Sequence, residues 1–265
     1  MTITTTHSLK KLKQEGKKFS CITSYDASFA ALADHAGIDV LLIGDSLGMV
    51  LQGEDSTLPV SMDDMVYHTR CVRKGSGSAL VMADMPFMSN NTLEDTLSNA
   101  GRLMQAGAHL IKLEGEEWLS ESIVALSDRG IPVCAHLGLT PQSVNKLGGY
   151  RVQGKDTAAA EKMLATALKL QASGADLILL ECVPNSLATT ITNALDVPVI
   201  GIGAGNGTDG QVLVMHDLLG VSGGHKPKFV KNFMLEASTI QEAFACYDRQ
   251  VKDGDFPSEQ HSFGG

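Results

Sequence analysis

One layout occurs three times along the chain, and it constrains the fold more than any other feature of the sequence. Each copy has a glycine, a few linking residues, an apolar run and then an acidic residue: AGIDVLLIGDS (36–46), AGAHLIKLEG (106–115) and SGADLILLEC (173–182). Glycine readily adopts the left-handed conformation that ends a helix, and an almost continuous apolar run is typical of a strand covered on both faces. The layout therefore predicts a helix, a tight turn and a buried parallel strand.

Further apolar segments bring the number of predicted strands to about eight. They cover residues 19–24, 79–83, 132–136, 197–202 and 212–216. Eight parallel strands close a barrel, and 265 residues match the roughly 250 of a (β/α)8 fold. A doubly wound open sheet would show the same alternation of elements, so length alone does not decide between them.

We predict an α/β protein with a (β/α)8 TIM barrel, forming a single catalytic domain over residues 1–265 with an N-terminal helix. Helical periodicity predicts further helices at 92–106, 118–129, 157–173 and 231–251.

The charge and cysteine patterns exclude several classes of protein. With 21 basic and 30 acidic residues the formal charge is −9, which disfavours nucleic acid and anionic membranes as partners. The N-terminus lacks the apolar core of a signal peptide, and no apolar run approaches the ~20 residues of a membrane span, so we expect a cytoplasmic protein. Five widely spaced cysteines without a C-x-x-C pair predict reduced, mostly buried thiols rather than disulfides or a structural zinc site.

Acidic residues end four of the predicted strands. Asp45, Glu114 and Glu181 close the three repeated runs, and Asp84 closes ALVMAD. In a barrel these positions converge on one mouth, although each acid could instead cap the following helix. Carboxylates about 4 Å apart repel by about 4 kcal/mol at an effective dielectric near 20, so a cation is expected among them. Oxygen ligands favour Mg²⁺, and Asp45 and Asp84 are the predicted ligands.

Lys112 and His136 are the basic candidates. Lys112 lies two residues before Glu114 in an apolar strand, so both side chains point to the same face. The lysine could form a structural ion pair with Glu114, bind a substrate carboxylate, or do both. His136 ends PVCAH and could be a ligand, a proton carrier or a core histidine, with its position favouring the site.

Two connections and the C-terminus complete the prediction. Residues 47–78 and 138–156 are longer than a barrel requires and are expected to form lids or substrate contacts. The glycines of GIGAG (201–205) are expected to form a strand-to-helix corner rather than a phosphate site. The tail after Gly254 is expected either to be disordered or to dock through its aromatic residues.

Eight short strings resemble the ketopantoate hydroxymethyltransferase family over nearly the whole chain. They are Tyr25-Asp26, GDSLGM (44–49), STLPV (56–60), HLGLTPQSVN (136–145), GGYRVQG (148–154), LECVP (180–184), GIGAG (201–205) and VMHD (214–217). The resemblance implies a barrel enzyme that transfers a hydroxymethyl group from 5,10-methylenetetrahydrofolate to 3-methyl-2-oxobutanoate, giving 2-dehydropantoate for pantothenate synthesis. It also implies a homo-oligomer, often a decamer.

Roles for seven residues follow from this resemblance, position by position. Asp45 and Asp84 match the magnesium ligands and Glu114 a third metal-associated acid, while Ser46 and Lys112 match contacts to the oxo acid. His136 matches a pocket residue, and Glu181 matches the base that removes the proton from carbon 3.

Two other classes are weighed against this one. A Mg²⁺-dependent lyase of the isocitrate lyase and phosphoenolpyruvate mutase type shares the barrel and the oxo-acid chemistry, but its K-K-C-G-H string does not occur here. A non-enzymatic barrel would be expected to have lost the acids and Lys112, which are all present.

Overall fold

Eight parallel strands form a closed barrel in a computed structural model that describes residues 3–223 and 226–264. The strands are β1 (Phe19–Thr23), β2 (Val40–Ile43), β3 (Leu80–Asp84), β4 (Leu110–Glu114), β5 (Val133–Gly138), β6 (Leu177–Glu181), β7 (Val199–Ile202) and β8 (Gly210–Leu213). Each strand pairs with the next, and β8 pairs with β1. The barrel is therefore confirmed against the open sheet.

Helices cover the outside of the barrel. They are α1 (Thr6–Gln14), α2 (Ala27–Ala36), α3 (Leu47–Val50), α4 (Met62–Gly75), α5 (Leu93–Ala106), α6 (Ser120–Ser127), α7 (Val144–Leu147), α8 (Thr157–Ala172), α9 (Asn185–Ala194), α10 (Met215–Leu218) and α11 (Ile240–Asp253). Gly37 and Gly107 end α2 and α5 with φ values of 96° and 112°. The repeated layout thus marks the turns that the sequence predicted, and the N-terminal helix is confirmed.

Three predicted elements were wrong in extent. The strand expected at 212–216 ends at Leu213, because Met215 begins α10 and its backbone N–H donates to Thr23 Oγ1 over 2.8 Å. The helix expected at 231–251 is a short 3₁₀ turn followed by α11, since the Thr239 side chain caps a new helix start. The long segment 47–78 contains α3 and α4, so most of it is barrel scaffold rather than free loop.

The glycine corner at 201–205 leads from β7 to β8 directly. No described residue between these strands is helical, so the expected strand-to-helix corner was also wrong. Gly205 has a φ of 76°, and a Cβ there would lie 2.2 Å from Asn185 Oδ1. This corner needs glycine because the chain is left-handed where it passes α9.

The core has two layers. The interior of the barrel is filled by alternate strand residues such as Leu42, Met82 and Leu179, and Leu9 of α1 packs against this inner layer. A larger apolar layer lies between the strands and the surrounding helices. Because the inner layer is apolar, the polar strand residues are concentrated near the carboxyl ends of the strands.

The described part of the C-terminal tail docks on the barrel and is not disordered. Phe256 is buried and its ring lies 5.4 Å from that of Phe233 and 5.9 Å from that of Tyr247. The backbone N–H of Asn185 donates to the carbonyl of Phe263. The tail therefore packs on the barrel as far as Phe263.

The expectation of mostly buried thiols is confirmed, because all five cysteines are free and four of them are buried. Among the described residues, no helix combines the length and the apolar character needed to cross a bilayer. The cytoplasmic location stays a prediction.

Candidate active site

Strand register brings the polar residues of three neighbouring strands together. In the β3–β4 pair Asp84 lies opposite Lys112, and in the β4–β5 pair Glu114 lies opposite His136. Since Lys112 and Glu114 are two positions apart, both side chains point into the barrel. The period of two and the register together place these four groups at one mouth.

Acidic and basic side chains alternate along this mouth. Lys112 Nζ lies 2.7 Å from Asp84 Oδ1 and 3.8 Å from Glu114 Oε1. His136 Nδ1 lies 3.3 Å from Glu114 Oε1, and its Nε2 lies 3.4 Å from Glu181 Oε2. Each basic group is therefore held between two carboxylates. We call these five residues the charge row.

Burial and pairing shift the pKa values within the charge row. Burial acts to lower the pKa of Lys112, but the attraction of Asp84 and Glu114 outweighs it and raises that pKa. Burial acts to raise the pKa of Glu114, yet His136 and Lys112 hold it below its usual value. The pKa of His136 is raised by its two carboxylates against the opposing effects of burial and the lysine. The charged forms are therefore favoured for all three groups.

Asp45 and Ser46 extend the site from the end of β2. The backbone N–H of Asp45 donates to Asp84 Oδ2 over 3.1 Å, so these two acids are adjacent. Burial raises the pKa of Asp45 well above its usual value, and the negative charges of Asp84 and Glu114 add to this shift. Ser46 Oγ lies 3.0 Å from Tyr25 Oη. Asp45 lies next to the charge row, but unlike the carboxylates of the row it forms no ion pair with Lys112 or His136.

All seven predicted site residues line one cavity of 170 Å³, which we call the inner cavity. They are Asp45, Ser46, Asp84, Lys112, Glu114, His136 and Glu181. The alternative of helix capping is wrong for Asp84 and Glu181, because Thr92 caps α5 and Pro184 precedes α9. Apolar residues such as Leu179 and Val212 also line the cavity, together with polar ones such as Thr23 and Thr57. The cavity can hold a small molecule with a charged head and an apolar body.

Gln142 is a site residue that reasoning from patterns missed. Its Nε2 donates to Asp45 Oδ2 over 2.8 Å and to the carbonyl of Met85 over 2.9 Å. Its backbone N–H donates to Glu114 Oε2 over 3.0 Å. The connection after β5 therefore fixes the carboxylates of β2 and β4. Gln142 lies in the string HLGLTPQ, which carries the family resemblance but did not by itself indicate a role for this residue.

A closed (β/α)8 barrel with acids, a lysine and a histidine gathered at its strand ends is the architecture of a barrel enzyme that acts on small molecules. The family model described as Ketopantoate hydroxymethyltransferase matches residues 3–259. The "3-methyl-2-oxobutanoate hydroxymethyltransferase" of Marinobacter nauticus is 63% identical over 259 residues, which cover 98% of this chain and 98% of the relative. The chain belongs to the ketopantoate hydroxymethyltransferase family, and it is a hydroxymethyltransferase.

Solved structures of lower identity share the fold. A 2,3-dimethylmalate lyase, a PEP mutase/isocitrate lyase superfamily member, has a TM-score of 0.60 at 17% identity, covering 82% of this chain and 83% of that one. A phosphonopyruvate hydrolase in complex with oxalate and Mg++ has a TM-score of 0.62 at 15% identity, covering 98% and 93%. At such identities the likeness shows a shared barrel fold and nothing more. The match to the ketopantoate hydroxymethyltransferase family decides against the Mg²⁺-dependent lyase considered from the sequence.

Proposed function

We propose that the protein transfers a hydroxymethyl group from 5,10-methylenetetrahydrofolate to 3-methyl-2-oxobutanoate, forming 2-dehydropantoate. Its relatives carry the name of this reaction, and the observation that carries the proposal is the inner cavity. Its lining combines the charge row with apolar side chains such as Leu179 and Val212. The oxo acid has a carboxylate and ketone at one end and an isopropyl group at the other, so a lining with both charged and apolar groups matches it.

The donor set fits magnesium. Asp45 and Asp84 offer carboxylate oxygens from neighbouring strands. Burial and the negative charges of Asp84 and Glu114 raise the pKa of Asp45, and a bound cation would stabilise its charged form. Among residues 3–223 and 226–264, no three His, Cys, Asp or Glu side chains form a complete metal cluster. Magnesium commonly takes only one or two carboxylates and completes its octahedron with water and substrate oxygens. When bound, it would polarise the oxo acid and acidify carbon 3.

Lys112 and Ser46 are proposed to bind the oxo acid. The lysine ammonium has three donors, and Asp84 and Glu114 lie on two sides of it, so a donor remains for a substrate oxygen in the inner cavity. Ser46 Oγ, held by Tyr25, reaches the same cavity. A structural ion pair and substrate binding are therefore compatible roles for Lys112. Glu114 supports this arrangement by holding the lysine and His136.

Glu181 is proposed as the base that removes the proton from carbon 3. It lies at the end of β6 and lines the inner cavity, and His136 holds it at 3.4 Å. The electron pair left on carbon 3 forms a bond to the methylene carbon of the donor as one of that carbon's two C–N bonds breaks. Water supplies the hydroxyl group as the second C–N bond breaks. Tetrahydrofolate leaves with both nitrogens protonated, one by the proton that Glu181 took from carbon 3 and the other by the remaining proton of water. His136 orients the carboxylate, while the walls of the cavity keep carbon 3 facing it.

The base assignment is tested by isotope exchange without folate. In Glu181→Gln, loss of deuterium from carbon 3 of 3-methyl-2-oxobutanoate should slow by roughly 10² or more, because the amide cannot accept the proton. Calorimetry should show nearly intact binding of the oxo acid with Mg²⁺. The exposed Glu121→Gln serves as the matched control and should exchange at the wild-type rate. Near-normal exchange in Glu181→Gln would remove this residue from the mechanism.

The homo-oligomer, expected to be a decamer from the family resemblance, remains part of this proposal. Large apolar side chains on the outer surface, such as Tyr67 and Leu235 at 64% and 83% exposure, are compatible with subunit contacts. Light scattering on the purified protein measures the subunit number.

A further inference from the structure

A second, larger cavity lies beside the inner one. Its volume is 560 Å³, and its walls come from the connections after β3, β4 and β5 and from one face of α8. We call it the outer cavity. Glu114 lines both cavities, while Pro141 faces the inner one and Gln142 the outer one. The two spaces therefore meet along the segment that fixes the carboxylates of the site.

The two volumes suit different reactants. The inner cavity, at 170 Å³, is below the roughly 300–1,000 Å³ of sites for drug-sized ligands, whereas the outer cavity, at 560 Å³, falls within that range. A five-carbon oxo acid matches the smaller space. A reduced folate, with its fused rings, aminobenzoyl group and glutamate, exceeds it and must extend beyond it.

Exposed aromatic groups are gathered on the wall of the outer cavity. Trp118 is 59% exposed and Phe87 is 45% exposed, and both line this space. A Cβ on Gly115 would lie 2.6 Å from Cζ2 of Trp118, so the indole packs on the backbone next to Glu114. Flat rings left accessible beside an active site are surfaces on which an aromatic ligand can stack.

Two lysines line the same cavity. Lys146 of α7 and Lys162 of α8 line it, and Lys162 Nζ is 2.5 Å from Glu116 Oε2. The side chain of Lys146 has neither a hydrogen bond nor an ion pair with another described residue. Two lysines suit the carboxylates of a glutamate tail. The cavity thus offers both stacking surfaces and cations.

We propose that the outer cavity binds the folate donor, with its ring system against Trp118 and Phe87 and its glutamate carboxylates near Lys146 and Lys162. This inference rests on the proposed function, since it assigns a site to the second substrate of that reaction. The donor's methylene carbon then reaches the inner cavity across the boundary formed by Glu114 and Gln142.

Direct binding can be measured because Trp118 is the only tryptophan in the chain. Titration with 5-formyltetrahydrofolate, with correction for ligand absorbance, should quench its fluorescence in a saturable way. In Lys146→Gln and Phe87→Ala the dissociation constant should rise about tenfold, which corresponds to about 1.4 kcal/mol each. Lys169→Gln removes a charge from α8 outside the cavity and should retain the wild-type constant.

Steady-state kinetics separates this inference from the proposed function. In Lys146→Gln the ratio of the KM for methylenetetrahydrofolate to the KM for the oxo acid should rise about tenfold, and in Lys169→Gln it should not change. Melting temperatures check that each variant is folded. If the wild type turns over with folate but both cavity variants keep the wild-type ratio, the site assignment is wrong and the function stands. If the wild type shows no folate-dependent turnover, both fail.

Discussion

Replacing Lys112 with methionine tests whether the charge row stabilises the barrel mouth in the absence of metal. The ammonium lies 2.7 Å from Asp84 Oδ1 and 3.8 Å from Glu114 Oε1, and the three side chains are only 4–5% exposed. At such burial these side chains have little contact with bulk water. Lys112→Met therefore leaves two carboxylates facing an apolar side chain of similar length.

The magnitude follows from these distances. At an effective dielectric near 20, the attraction is about 6 kcal/mol for the 2.7 Å pair and about 4 kcal/mol for the 3.8 Å pair. The cost of removing the lysine from water offsets part of this, and loss of one partner of a buried pair typically costs about 3–5 kcal/mol. For a chain of this length that corresponds to a fall in melting temperature of roughly 6–20 °C.

The loss should also depend on pH. Without the lysine, the pKa of Asp84 rises further above its unfolded value, because burial and Glu114 already raise it. A carboxyl group with a raised folded pKa contributes most stability below its unfolded pKa, and this contribution is lost as the pH rises through the folded pKa. The difference between the wild type and Lys112→Met should therefore be larger at pH 8 than at pH 5.

The assay is thermal unfolding of EDTA-treated protein at both pH values. Lys162→Met is the matched control, because its ion pair with Glu116 is 67% and 61% exposed and should contribute less than about 1 kcal/mol. Adding Asp84→Asn to Lys112→Met should recover part of the loss, since it removes the unpaired charge. If Lys112→Met costs no more than Lys162→Met, the reasoning about the buried row is wrong.

Three further predictions follow from the same contacts. His136 has a raised pKa in the folded state, so its stabilising contribution is present below the unfolded-state pKa and is lost as the pH rises through the folded-state pKa. The substitution His136→Gln should therefore lower the melting temperature more at pH 6 than at pH 8.5. Equal decreases at the two pH values would refute this. Gln142→Ala should weaken Mg²⁺ binding in the presence of oxo acid by roughly 10-fold or more by calorimetry, and an unchanged constant would exclude a positioning role. Asp34 accepts hydrogen bonds from the backbone before β3, so Asp34→Ala should cost about 3 kcal/mol in urea unfolding, against little change for the exposed Asp55→Ala.

The local signals in the sequence predicted much of the scaffold. Gly37 and Gly107 end helices because they adopt positive φ, and the apolar runs after them are strands, so turns and strands could be located from residue types alone. The strand predicted at 212–216 failed at its end because Met215 is apolar in either conformation. Only the contact of its backbone with Thr23, almost two hundred residues away, shows that a helix begins there.

The contacts between elements were harder to predict from the sequence. The period of two predicted that Lys112 and Glu114 share a face, but it could not give the register that sets Asp84 opposite Lys112. Register between strands depends on packing around the whole barrel. Gln142 was missed for a similar reason, because a glutamine in a loop has no periodicity, and its partners lie on other strands.

The alternation of charge indicates where in the mouth a cation is most needed. Along the row each carboxylate lies beside Lys112 or His136, so the protein itself compensates these charges. Asp45 stands outside the row, and the Gln142 amide that contacts it is polar but uncharged. Its neighbour Asp84 shares one lysine with Glu114, so negative charge is in excess at the ends of β2 and β3. This excess supports placing Mg²⁺ between Asp45 and Asp84 and leaving Glu181, at the opposite end of the row, to act on the proton.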